Sequence, residues 1–130
     1  MGESKCVLVV DDHPPTLHLI RSSLEGHGLR VRTATNGAAA LLSVHEEMPD
    51  LVILDVMMPV LDGFQTLDAL QNSEETKDVP VIMLTARSSD RDVAEGWRSG
   101  VTSYLTKPFS IDQLLKLVER VLEGIAQGVS

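Results

Sequence analysis

The segment at residues 49–63 reads PDLVILDVMMPVLDG, and its centre decides the fold. Four consecutive apolar residues at 51–54 are followed at once by Asp55. Such a short, uninterrupted apolar run is typical of a strand covered on both faces, as in a parallel sheet packed between helices. Asp55 would then lie at the carboxyl end of this strand, which is the edge where open α/β sheets bind ligands.

Four other runs rich in Val, Ile and Leu have the length of strands. They cover residues 6–10, 29–34, 79–84 and 101–106. The starts of successive runs lie about 20 to 30 residues apart, which leaves room for one helix and two turns between strands. The runs therefore indicate five parallel strands joined by helices.

Between the runs, apolar residues repeat at helical spacing instead. The clearest repeats are Leu17, Ile20 and Leu24 in the first connection, and Ala38, Leu41, Leu42 and His45 in the second. Pro14 and Pro15 suit the first turn of the first helix, and Gly28 suits the C′ position after it. This alternation predicts an α/β domain with a doubly wound five-stranded parallel sheet and helices on both faces.

Length and composition limit the classes of protein that the chain can represent. It has 130 residues, which suits one domain, and its formal net charge is −8. Negative charge of this size opposes contact with phosphate backbones and anionic lipids, so we expect neither a nucleic-acid nor a membrane ligand. Cys6 is the only cysteine, and no signal peptide or membrane-length apolar run is visible. We therefore expect a cytoplasmic protein without an intramolecular disulfide.

The end of the chain predicts one boundary. The last helix is expected over residues 111–122. We assign residues 1–123 to a single domain, and residues 124–130 to a C-terminal tail or the start of a linker.

Polar side chains follow four of the five expected strands: Asp11 and Asp12, Asp55, Thr85 and Lys107. If the first and third strands are neighbours, three carboxylates converge and repel each other unless a cation lies among them. Oxygen ligands of this kind select Mg²⁺ or the similar ion Mn²⁺. Lys107 and Thr85 would supply a cation and a hydroxyl donor for phosphoryl oxygens. Together these groups are suited to forming an aspartyl phosphate.

Each of these residues also has an ordinary structural interpretation. Asp11 and Asp12 could cap the helix that follows them, Asp55 could belong to a turn, and Thr85 could be an N-cap. Lys107 alone would be a surface charge. Their joint occurrence at strand ends favours a shared site.

The segments VLVVDD at 7–12, PDLVILDVMMPVLDG at 49–63, VPVIMLTA at 79–86 and YLTKPF at 104–109 together resemble the receiver domain of bacterial two-component response regulators. The resemblance extends over essentially the whole chain. It implies a sheet of strand order 2-1-3-4-5, as in flavodoxin-like folds. It also implies a phosphorylation-activated signalling switch that promotes its own phosphorylation and loses the phosphoryl group slowly.

The resemblance implies a role for each site residue. Asp55 would accept a phosphoryl group from a phosphohistidine of a sensor histidine kinase or phosphotransfer protein. Asp12 and Asp55 would bind Mg²⁺ (or Mn²⁺) through their side chains, Asp11 would bind it through water, and Met57 through its backbone carbonyl. A bulky side chain at Met57, together with Arg87, would obstruct attacking water and lengthen the phosphoryl lifetime.

The remaining implied roles concern switching and output. Thr85 would be the switch hydroxyl, Tyr104 the aromatic residue that rotates inward with it, and Lys107 the cation beside the phosphoryl group. The bond between Lys107 and Pro108 would be a cis peptide. The fourth helix, to which Trp97 would belong, the fifth strand and the fifth helix would contact an output partner, an output domain or a second copy of the chain.

Three other functions compete with this interpretation. A degenerate receiver would bind proteins without being phosphorylated. A haloacid-dehalogenase-like phosphatase also uses a strand-end Asp with Mg²⁺, but it needs a second Asp two residues later, where this chain has Met57. A flavin-binding module would need a loop rich in glycine and hydroxyl groups after the first strand, where this chain has Asp11 and Asp12.

Overall fold

The computed structural model of the chain describes residues 4–58, 60–86 and 101–126. Its strands are β1 (Cys6–Val10), β2 (Arg30–Ala34), β3 (Leu51–Asp55), β4 (Val81–Ala86) and β5 (Ser103–Lys107). Its helices are α1 (Pro14–Glu25), α2 (Gly37–Glu46), α3 (Gly63–Gln71) and α4 (Ile111–Ala126). Arg87 and the expected fourth helix with Trp97 lie outside the described residues, so α4 is the helix that the sequence analysis counted as the fifth.

The strands form one parallel sheet in the order β2-β1-β3-β4-β5. The predicted fold class and strand order are therefore confirmed. The order reverses between β1 and β3, and this reversal opens a crevice beyond the carboxyl ends of the two strands. In register, Val10 pairs with Leu54, so the residues that follow β1 face those at the end of β3.

Two apolar cores cover the two faces of the sheet. Alternate residues of each strand point to opposite faces, and every residue of β1 and β3 is buried. One face, which includes Leu8 and Leu54, packs against α2 and α3. The other, which includes Val9 and Ile53, packs against α1 and α4. Burial on both faces explains why these strands read as continuous apolar runs.

The buried face of α2 consists mainly of small residues. The buried residues are Gly37, Ala40 and Val44, whereas Leu42 is 68% exposed. Small residues lie on the inner face because α2 approaches its neighbours closely, and the large Leu42 is left on the outer face. The helical spacing of Ala38, Leu41, Leu42 and His45 correctly indicated a helix, but of these four residues only Leu41 packs, partly buried, against the core.

Two helix ends also differ from expectation. Helix α4 continues to Ala126 rather than ending at residue 122, because one glycine, Gly124, costs a helix only about 1 kcal/mol. The division of the chain after residue 123 stays a prediction. Gly28 has the expected left-handed backbone, with φ of 84°, but lies two residues beyond the C-cap Gly26 rather than one. Among the described helices, none is long and apolar enough to cross a membrane.

Candidate functional site

Three carboxylates meet in the crevice between β1 and β3. Asp11 and Asp12 directly follow β1, and Asp55 is the last residue of β3. One oxygen from each of the three carboxylates lies within 4.8 Å of the others. Asp11 and Asp55 are buried, while Asp12 is exposed. The topology thus brings together acids that are more than forty residues apart in the chain.

A lysine from β5 reaches the same carboxylates. The Nζ atom of Lys107 lies 3.2 Å from Oδ1 of Asp55 and 3.4 Å from Oδ2 of Asp11. The peptide bond between Lys107 and Pro108 is cis. Because β4 lies between β3 and β5, the lysine side chain crosses the end of β4 to reach the acidic crevice.

The two central charges perturb each other. Burial raises the pKa of Asp55 above its usual range, and the charge of Asp11 raises it further, so that the net shift is upward although the nearby Lys107 lowers this pKa. Burial lowers the pKa of Lys107, but the carboxylates of Asp55 and Asp11 outweigh burial and raise it overall. One ammonium group does not balance three carboxylates. The excess negative charge and the all-oxygen donor set fit a hard divalent cation such as Mg²⁺.

The side chain and backbone of Asp11 also form hydrogen bonds with residues other than Lys107. Its Oδ1 accepts the backbone N–H of His13 at 2.9 Å, and its own N–H donates to the carbonyl of Ala34 at 3.1 Å. Both carboxylate oxygens of Asp11 are therefore engaged, one with His13 and the other with Lys107. The bond to His13 is a local turn contact and not the helix cap that the sequence offered as the alternative for Asp11, because the N-cap of α1 is His13.

Thr85 lies beside the acids at the end of β4. In register, Asp55 pairs with Leu84, so Thr85 is one residue beyond the strand partner of Asp55. Thr85 is 1% exposed, and its hydroxyl has no hydrogen-bond partner among the described residues. A buried hydroxyl left unpaired costs about 1–3 kcal/mol, so it calls for a functional explanation.

The loop after Asp55 is held close to the sheet. The N–H of Gly63 donates to the carbonyl of Val56 at 2.9 Å, and a Cβ on Gly63 would come within 2.5 Å of the carbonyl oxygen of Asp55. Asp62 begins α3 with a capping box shared with Gln65. Asp62 is therefore the N-cap of α3, and Gly63 is the first residue of this helix.

The other predicted residues lie at the border of this site. Met57 follows Asp55 by two residues, and its side chain is 67% exposed. Tyr104 of β5 is partly buried against the core on the α2 and α3 side of the sheet. One feature of the loop had no signal in the sequence: Val60 adopts a left-handed backbone with φ of 72°, which its residue type gives no reason to expect.

Known proteins identify the class to which this fold and site belong. Residues 7–119 match the family described as response regulator receiver domain. The chain belongs to this family and is a receiver domain.

Particular relatives agree with this assignment. The protein PilH of Pseudomonas aeruginosa is 39% identical over 118 residues, which are 91% of this chain and 98% of PilH. The solved structure of the chemotaxis response regulator CheY4 of Vibrio cholerae matches with a TM-score of 0.86 and 36% identity, over 91% of this chain and 98% of CheY4.

Other relatives are longer. The phosphate regulon transcriptional regulatory protein PhoB of Escherichia coli is 35% identical over 120 residues, which are 92% of this chain but 52% of PhoB. The chain thus spans about half the length of the transcriptional regulators that it matches. What such a regulator does as a whole is not carried over to this chain.

Proposed function

We propose that the chain is a phosphorylation-activated signalling switch in which Asp55 takes a phosphoryl group from a phosphohistidine of a sensor histidine kinase or phosphotransfer protein. The observation that supports this most is the acidic crevice itself. Asp55 lies at a strand end with two further carboxylates within 4.8 Å and an ammonium group at 3.2 Å. A carboxylate placed in this way can act as a nucleophile whose product is stabilised by neighbouring cations.

The three acids are the residues that would hold Mg²⁺ or Mn²⁺. Asp12 and Asp55 would be direct ligands, and the backbone carbonyl of Met57 would complete the protein's share. Asp11 would act through water, which fits its engagement with His13 and Lys107. When bound, the ion neutralises negative charge on the phosphoryl oxygens.

The transfer step needs one nucleophile and one leaving group. An oxygen of the Asp55 carboxylate forms a bond to phosphorus while the bond from phosphorus to the histidine nitrogen breaks. The electron pair of that bond stays on the donor ring, which leaves as neutral imidazole because its other nitrogen carries a proton. Lys107, whose raised pKa keeps it charged, stabilises the equatorial oxygens in the transition state. No other group on the protein has to gain or lose a proton.

Phosphorylation would then bias two states of the domain. The unpaired Thr85 hydroxyl donates to a phosphoryl oxygen, and Tyr104 rotates toward the space that Thr85 leaves. Both residues lie beside the expected output face, which includes β5 and α4 and would contact a partner, an attached domain or a second copy of the chain. A cytoplasmic location is part of the proposal, and the buried free thiol of Cys6 favours it.

Phosphorylation of the isolated chain by acetyl phosphate and Mg²⁺ tests the proposal directly. Intact-mass spectrometry should show the gain of one phosphoryl group in the wild type. The gain should be lost in Asp55→Asn and in EDTA, and retained in Asp68→Asn, which removes an exposed carboxylate of α3. Absence of the gain in the wild type would favour a degenerate receiver, and a gain that survives in Asp55→Asn would place the acceptor elsewhere.

A further inference from the structure

The loop between β3 and α3, residues 56–62, contains a backbone conformation that its sequence disfavours. Val60 has φ of 72°, in the left-handed region that β-branched residues almost never adopt. Its side chain is 76% exposed, so burial of apolar surface does not offset the cost. Strain of this kind persists only where the surrounding structure imposes it.

The two ends of the loop are fixed. Val56 donates its N–H to the carbonyl of Leu84 in β4 at 3.1 Å. The N–H of Gly63 returns to the carbonyl of Val56 at 2.9 Å, which closes the loop at its base. The chain between these points has to reverse its direction within a few residues.

Two side chains within the loop are anchored as well. Met58 belongs to the buried core on the α2 and α3 side of the sheet. Leu61 lies so near the first turn of α2 that a Cβ on Gly37 would come within 2.7 Å of the Cβ of Leu61. Val60 directly precedes Leu61 and follows Met58 by two residues, so these two anchors restrain its backbone in the left-handed region.

We propose that Val60 is a positioning residue whose strained turn sets how firmly Met57 is held at the metal site. This inference rests on the proposed function, in which the Met57 carbonyl is a ligand. The exposed side chain of Met57 provides little anchoring, so the course of the loop decides the position of its carbonyl. Because the β-branch of Val60 disfavours the turn, the closed loop exchanges with opened forms in which Val60 has relaxed to negative φ. Relief of the strain shifts this equilibrium toward the closed loop and strengthens Mg²⁺ binding.

A matched pair of variants separates strain from polarity. Val60→Asn and Val60→Thr both replace an exposed apolar side chain by a polar one, but only asparagine lacks the β-branch and tolerates a left-handed backbone. The inference requires that the metal-free wild type hold the loop closed in only about a tenth to a third of its molecules, so we expect the Mg²⁺ dissociation constant of Val60→Asn to fall about three- to tenfold in titration calorimetry. That of Val60→Thr should stay within about twofold of the wild type. Hydrogen exchange of the Gly63 amide, whose N–H donates to the Val56 carbonyl at the base of the loop, should slow in Val60→Asn alone when measured without metal.

The outcomes distinguish this inference from the proposed function. Equal Mg²⁺ affinity in the wild type and both variants, or equal tightening by asparagine and threonine, would overturn the role of Val60. Slower amide exchange in Val60→Asn without tighter Mg²⁺ binding would also overturn it, because the loop would then be stabilised without positioning a ligand. A wild type that is phosphorylated on Asp55 yet gives unchanged affinities refutes this inference alone. A wild type that binds no Mg²⁺ refutes the proposed metal site and this inference with it.

Discussion

The hydroxyl of Thr85 is buried at the end of β4 without a hydrogen-bond partner among the residues that the structure describes. Substitution Thr85→Val removes this polar atom and keeps the shape of the side chain. Because a buried unsatisfied group costs about 1–3 kcal/mol, we expect Thr85→Val to raise the free energy of unfolding by about 1–2 kcal/mol in urea denaturation. The gain in stability should accompany loss of the response to phosphorylation, since the valine offers no donor.

The conservative variant Thr85→Ser controls for this interpretation. It retains the hydroxyl but loses a buried methyl group, so it should be less stable than the wild type and should still respond to phosphorylation. If Thr85→Val unfolds at a lower urea concentration than Thr85→Ser, the hydroxyl is paired in solution. The unphosphorylated protein would then not be destabilised by an unpaired hydroxyl at Thr85.

Helix α2 and the β3–α3 loop meet at a contact that tolerates only glycine. A Cβ on Gly37 would overlap the hydroxyl of Thr66 and approach within 2.8 Å of the carbonyl oxygen of Leu61. Overpacking of this kind costs about 1–3 kcal/mol, so Gly37→Ala should lower the free energy of unfolding by that amount, as measured in urea. The matched control is Gly124→Ala in α4, where an added Cβ meets nothing within 4 Å. This substitution should raise the free energy of unfolding by about 0.5–1 kcal/mol. Destabilisation by both substitutions would show that the contact at Gly37 is not the cause.

The elements differ in how well the sequence predicts them. Strand β3 is predictable because burial on both faces selects a run of apolar residues that no helix of that length would need. The inner face of α2 is not, because it follows helical period through the small residues Gly37 and Ala40, which a closely packed loop requires there, while the large Leu42 faces solvent. The residue types of a segment predict burial of apolar side chains better than they predict close packing of one backbone segment against another.

The same contrast holds for the site. The residues of the candidate site could be predicted from the polar residues at strand ends, because parallel strands place their carboxyl ends at one edge of the sheet. The pairing of Lys107 with both Asp55 and Asp11, the unpaired hydroxyl of Thr85 and the left-handed Val60 did not follow from the sequence. These features depend on distances between segments that are far apart in the chain, and only the assembled sheet determines those distances.

The acidic site also affects the stability of the whole molecule. The pKa of Asp55 is raised in the folded state, mainly by burial and then by Asp11, so the folded protein binds this proton more tightly than the unfolded chain does. Between the ordinary carboxyl pKa and the raised one, unfolding therefore releases a proton. The contribution of Asp55 to the free energy of unfolding falls as the pH rises through this window. Without metal, the ionised Asp55 carboxylate therefore contributes unfavourably to the free energy of unfolding at neutral pH.

Two consequences can be measured together at neutral pH in EDTA and in Mg²⁺. In EDTA, Asp55→Asn should melt at a higher temperature than the wild type, and the difference should shrink as the pH falls through the raised pKa of Asp55. Mg²⁺ should stabilise the wild type by about 2.7 kcal/mol at one hundred times its dissociation constant, and should stabilise Asp55→Asn much less because a ligand is missing. Asp68→Asn, which removes an exposed carboxylate outside the crevice, should follow the wild type in both conditions. A wild type more stable than Asp55→Asn in EDTA at neutral pH would mean that Lys107 already compensates the acids, and the electrostatic reason for a divalent ion in this crevice would be removed.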